Sequence, residues 1–251
     1  MRKALIAGNW KMNKTPYQAG QLMEAIVAAD LDPEVEALVC VPAINIPVVR
    51  EKIEGHPIGL GAENFYYEAS GAFTGEISGP MLKDYEVQYI ILGHSERREL
   101  FQECDALIQK KVQSALKQDF RPILCVGETL EERQAGQAQK KVAHQLDQDL
   151  EGCAADEFDR IVIAYEPLWA IGTGQTASAS DAEEMCAFIR QEIGARFGDQ
   201  AADRVRIQYG GSVKPANIKE IMAMDNIDGA LVGGASLEAD SFVALVNYRK
   251  A

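Results

Sequence analysis

Eight short apolar runs, rich in β-branched residues, recur along the chain, and a polar or glycine-rich turn and a segment of helical period follow each in turn. They are Ala4 to Ala7, Leu38 to Val41, Ile58 to Ala62, Tyr89 to Leu92, Pro122 to Val126, Ile161 to Tyr165, Val205 to Gln208 and Ala230 to Val232. Near-continuous apolar strands of this length have both faces buried, as in a parallel sheet. Eight strand–helix units fit an α/β fold that closes into a (β/α)8 barrel, one domain over residues 1–251. An open doubly wound sheet is the weaker alternative, because no GxGxxG follows the first run. No Pro-, Gly- or Ser-rich linker interrupts the alternation.

The intervening segments carry helix signals. Thr15, Pro16 and Gln18 form one start, and Thr129 with Glu132 and Ser180 with Glu183 fit capping boxes. Val142, Leu146 and Leu150 recur every four residues, as do Met185, Ile189 and Ile193, giving each helix one stripe to lay against a sheet.

Hydrophobic residues at 47% and charged residues at 25% are ordinary for a globular chain of 251 residues. The net charge of −13, with no basic patch, argues against binding nucleic acid or an anionic membrane, so an anionic substrate needs a local positive site. The apolar run in MRKALIAGNWK ends at Gly8, shorter than a signal peptide requires, and no stretch is long enough to span a membrane. The five cysteines are widely spaced and lack any metal-binding pattern, which points to a reducing cytoplasm and to no metal or other cofactor. Cys40 and Cys125 fall in strand runs and read as small buried hydrophobes.

In a barrel, chemistry gathers where strands end and βα loops begin. Glu166 ends the sixth run and opens a loop punctuated by Pro167, Trp169, Gly172 and Gly174, a carboxylate base beside its own lid. Asn9 and Lys11 follow the first run. Lys11 supplies positive charge for an anionic ligand or a developing oxyanion, and its two-residue spacing from Asn9 aims both side chains the same way if the strand continues. His94 follows the fourth run, with Ser95 as the cap of a helix whose start favours a neutral imidazole able to donate to a carbonyl oxygen. His56 and His144 lie in a turn and on a polar helix segment and read as structural. Glycine pairs in YGGSV (209–213) and LVGGAS (231–236), with Ser212 beside the first, end the last two strands, where bare backbone N–H groups can hold a phosphate. A base, an electrophile, a cation and a phosphate cradle point to proton transfer beside the carbonyl of a phosphorylated substrate.

The motifs GNWKMN (8–13), GAFTGEIS (71–78), ILGHSERR (91–98), CVGETLEERQAG (125–136), AYEPLWAIGTGQTA (164–177), YGGSVKPAN (209–217) and GALVGGASL (229–237) resemble, in combination and order, those of the triosephosphate isomerase family. The resemblance implies a TIM barrel and interconversion of dihydroxyacetone phosphate and D-glyceraldehyde 3-phosphate through an enediolate, a step of glycolysis and gluconeogenesis. It implies Glu166 as base, His94 as electrophile, and Asn9 and Lys11 as positioning and charge-stabilising groups. Gly172, Ser212, Gly233 and Gly234 match the family's phosphate-binding positions, and Glu96 a supporting carboxylate. It also implies a homodimer in which Thr74, in the loop 71–78, reaches the neighbouring subunit's site near Lys11. Glu63 stands where relatives often have glutamine, and Gly79 just past the dimer loop and Gln175 in the lid also depart from the pattern. A barrel isomerase acting on phosphoribosyl compounds would share the cradle but needs room for a larger substrate. A non-catalytic triose phosphate sensor would not need Glu166, His94 and Lys11 together.

Overall fold

A computed structural model describes residues 2–170 and 177–250. Eight parallel strands pair in sequence order and close, β1 meeting both β2 and β8. They are β1 (Ala4–Asn9), β2 (Val35–Val41), β3 (Ile58–Ala62), β4 (Tyr89–Leu92), β5 (Arg121–Val126), β6 (Val162–Tyr165), β7 (Arg206–Tyr209) and β8 (Gly229–Val232). All eight expected runs are strands. β1, β2, β5 and β8 are longer than expected, β6 begins one residue later, and β7 is shifted one residue along the chain.

Alternation along each strand divides the core in two. Leu5, Ala7, Leu38, Cys40, Tyr89, Ile91, Ile123, Cys125, Val162, Ala164 and Leu231 fill the barrel interior. Their odd-out neighbours, such as Ile6, Val39, Ile90, Leu124 and Ile163, pack against the surrounding helices. Val142, Leu146, Leu150, Met185, Ile189 and Ile193 are all buried in that outer layer, as their spacing requires.

Two helix starts follow the sequence. Thr15 accepts from the Gln18 amide at 3.4 Å while the Gln18 side chain accepts from the Thr15 amide at 3.0 Å, ahead of helix Pro16–Val27. Thr129 and Glu132 do the same before Leu130–Gln134. The third expectation is corrected: the box before helix Ala179–Phe197 is Ser178 with Asp181, and Ser180 already lies inside the helix. Ser178 and Ser180 offer the same cap chemistry, and the extended backbone of Ser178 decides between them.

At the strand starts a polar group plugs the barrel. The Tyr89 hydroxyl donates to Glu36 Oε1 at 2.5 Å and accepts from Arg206 Nη2 at 2.7 Å and from Arg121 Nη1 at 3.0 Å. Closure itself leans on Gly229. A Cβ there would lie 2.0 Å from the carbonyl oxygen of Leu5, its partner residue across the β1–β8 seam. Gly229→Ala should therefore destabilise the fold by ~3 kcal/mol or more, read as a lower urea midpoint; an unshifted midpoint would show that the seam can part at little cost.

Candidate active site

The period of two that fills the barrel also aims its last inward positions upward into one cup. Continuing Leu5 and Ala7 by two reaches Asn9, continuing Val162 and Ala164 reaches Glu166, and continuing Leu231 reaches Gly233. Asn9, Lys11, His94, Glu96, Glu166, Gly210, Gly211, Ser212, Gly233 and Gly234 line one cavity of about 390 Å³. The structure thus brings together every described residue expected at the site. Gly172 lies outside the described residues.

Lys11 arrives by a different route from the one its spacing suggested. The strand ends at Asn9, and Lys11 has φ +53°, so strand alternation does not aim its side chain. Its amide donates to Asn9 Oδ1 at 3.1 Å, and Nζ pairs with Glu96 Oε1 at 2.6 Å across the cup.

His94 is itself the N-cap of helix Ser95–Leu100, a place the sequence reading gave to Ser95. Its Nδ1 accepts from the Glu96 amide at 3.2 Å, so the ring proton of a neutral imidazole sits on Nε2. Nε2 lies 2.9 Å from Glu166 Oε1, and the Ser95 amide donates to Glu166 Oε2 at 3.0 Å. Burial pushes the Glu166 carboxyl upward, but His94, the Ser95 amide and Lys11 together more than offset it and hold the group below the usual carboxylate range. An almost fully buried carboxylate is thereby kept ionised at neutral pH and within reach of the cavity.

The side of the cup where the sequence places a phosphate is built from glycine backbone. Gly211 has no space for a side chain, since a Cβ would meet the Tyr209 hydroxyl at 2.1 Å, and a Cβ on Gly210 would come 3.1 Å from Glu166 Cγ. A Cβ on Gly233 would come 3.7 Å from Lys11 Cε, placing that amide next to the cation. Cys125 is buried in the barrel interior and its thiol is pushed well above the ordinary range, chiefly by burial, which leaves it no nucleophilic role. His56 is exposed, and the His144 side chain is more than half exposed, so neither reaches the cup.

Two acidic residues near the cup escaped the sequence reading as site groups. Glu128 is fully buried and its Oε1 accepts from the Tyr165 hydroxyl and from Trp169 Nε1, both at 3.0 Å. It anchors the chain at Tyr165 and Trp169, just after β6. Glu63 continues the inward face of β3 and borders a second cavity, of about 400 Å³, that shares Asn9, Lys11, His94 and Glu96 with the first.

The cup defines a (β/α)8-barrel acid–base enzyme with glycine-lined ends on its last two strands. The sequence matches the triosephosphate isomerase family over residues 4–249. It is 52% identical to the triosephosphate isomerase of Finegoldia magna over the full length of both chains. It is 51% identical to that of Lactobacillus delbrueckii subsp. lactis, covering 99% of each, and 51% identical to that of Clostridium novyi, covering all of both. The chain belongs to the triosephosphate isomerase family.

Burial, opposed by the Lys11 amide and reinforced by Glu96, pushes the Glu63 carboxyl up to about 8. The unfolded chain gives up this proton at the ordinary value of 4.5, so the stability it represents is full below that pH and is lost as pH rises toward 8. Glu63→Gln carries no such loss. Its melting temperature should match the parent near pH 5 and exceed it by ~5 °C or more at pH 8; a gain independent of pH would contradict this origin.

Proposed function

We propose that this cup interconverts dihydroxyacetone phosphate and D-glyceraldehyde 3-phosphate, with Glu166 as the base that carries a proton between adjacent carbons. One observation carries the assignment of roles. Glu166 and the Nε2–H of His94 face each other at 2.9 Å on the wall of a cavity that also holds Lys11. In the free protein both Glu166 oxygens are held, by His94 and by the Ser95 amide. A substrate carbonyl that takes the Nε2–H in place of Glu166 frees one of them to turn toward the carbon acid. His94 then stabilises the enediolate oxygen as a neutral donor, and Lys11, with Asn9 beside it, offsets the charge that develops there. Nothing is consumed: the proton taken from one carbon is returned to its neighbour by Glu166, while the hydroxyl proton passes from one oxygen to the other through His94 Nε2.

Ser212 and the backbone of Gly233 and Gly234 hold the phosphate, a role in which the family resemblance also places Gly172, outside the described residues. The exchange is a step of glycolysis and gluconeogenesis, run in the cytoplasm by one barrel domain spanning residues 1–251, without a cofactor. The protein works as a homodimer through the loop around Thr74. The exposed Met12 and Phe101 support this reading, since both line the second cavity beside Lys11, where a partner subunit would cover them.

A coupled assay of the purified protein with glyceraldehyde 3-phosphate tests the activity directly. Glu166→Asp withdraws the carboxylate by one methylene, and it should lower kcat by ~10²-fold with KM nearly unchanged. An unaltered kcat would remove Glu166 from the role of base. Sedimentation should give twice the mass of one chain, and Met12→Glu should shift it toward the monomer.

A further inference from the structure

Behind the cup a buried guanidinium ties together the two segments that carry the chemistry. Arg98 Nε donates at 2.6 Å to the carbonyl of Gly93, the residue before His94, and Nη2 donates at 3.0 Å to the carbonyl of Cys125. One residue after Cys125, the Val126 carbonyl accepts the Glu166 amide at 2.8 Å. Gly93 has φ +67°, and a Cβ on it would come 2.7 Å from Arg98 Nη2, so the guanidinium packs directly against that turn. Its tilt thus bears on the two segments that lead to His94 and Glu166.

Two carboxylates hold that tilt, and they are not equivalent. Asp105 Oδ1 accepts from Nη1 at 2.5 Å; Asp105 is partly exposed and opens helix Asp105–Lys117, where free amides favour negative charge. Asp149 Oδ2 accepts from Nη2 at 2.6 Å. Asp149 is fully buried at the last position of helix Ala138–Asp149, among carbonyls that oppose a negative charge. No N–H or O–H donor among the described residues reaches its Oδ1. Burial and the neighbouring Asp105 outweigh the attraction of Arg98 and push its carboxyl up to about 7. A well-packed apolar side chain would fill such a place at lower cost, and Asp105 alone already supplies Arg98 with a counter-charge. The distinct thing Asp149 provides is a second anchoring point, on the nitrogen that also grips the Cys125 carbonyl.

We propose that Asp149 is a positioning residue for the reaction: its hydrogen bond fixes the tilt of Arg98 and, through Gly93 and Cys125, the placement of His94 against Glu166. The inference rests on the acid–base roles given to those two residues above. Asp149→Ala and Asp149→Asn, each compared with the parent enzyme in the glyceraldehyde 3-phosphate assay, test it. Arg98 keeps Asp105 and both carbonyls in either variant, so the barrel is expected to fold. Asp149→Ala should lower kcat about tenfold with KM within about twofold, since small misplacements of reacting groups are costly. The ring ¹⁵N signals of His94, one of three histidines in the chain, should shift or broaden while those of His56 stay unchanged. Asp149→Asn retains an oxygen at the same reach and should keep kcat within about threefold of the parent.

A kcat within twofold of the parent in Asp149→Ala, equal losses in both variants, or unaltered His94 signals would each overturn the proposal. If Asp149→Ala does not fold, Asp149→Ser, too short to reach the guanidinium, carries the same comparison. A parent enzyme without turnover would instead reject the acid–base reading, whatever Asp149 does.

Discussion

The contact between Glu166 and the loop at His94 depends on two strands, β4 and β6, that are separated only by β5 and end at the same rim of one closed sheet. Closure requires that strands buried on both faces alternate strictly between the interior and the helices, and a slip of one residue would turn Glu166 outward among aliphatic side chains. The same alternation delivers Asn9 and Gly233 to the cup. Fold and site are therefore not separable here, because the rule that fills the interior with Leu5, Ala7, Val162 and Ala164 also chooses which residues face the ligand.

Three glutamates around this cup, Glu166 and Glu128 buried and Glu63 half-buried, meet two different fates, and the partner set decides each one. Glu166 has an imidazole N–H, a backbone amide and a nearby ammonium group, enough to keep it charged against burial. Glu63 has one backbone amide and the opposing charge of Glu96, too little, and its carboxyl rises. Glu128 also rises, although a phenol and an indole donate to it. Burial alone thus tells little about a carboxylate's role; the count and charge of its donors tell more.

The barrel and most of the cup were legible in the sequence because their signals are local. Eight apolar runs, strand-end glycine pairs and a lone carboxylate at the end of a run need no knowledge of distant contacts. Lys11 lines the cup, but its position comes from a left-handed turn after Asn9 and not from strand alternation. Ser180 and Ser178 carry the same cap chemistry two residues apart, and only the backbone distinguishes them. Glu128, Arg98 and Asp149 were illegible as site groups because their partners come from other elements: Arg98 meets Asp149 51 positions away, and Glu128 meets Trp169 41 positions away. Helix periodicity marks Leu146 and Leu150 as inward but says nothing of a polar Asp149 between them.

The polar plug at the strand starts has a consequence for solvent. Tyr89, Arg206, Glu36 and Arg121 stopper one mouth of the barrel, and the interior above them is packed with apolar side chains. Water is therefore shut out along the barrel axis from the strand-start end, and the two cavities that border Glu166 are both lined by residues at the opposite, strand-end side, where drying the carboxylate has to be done.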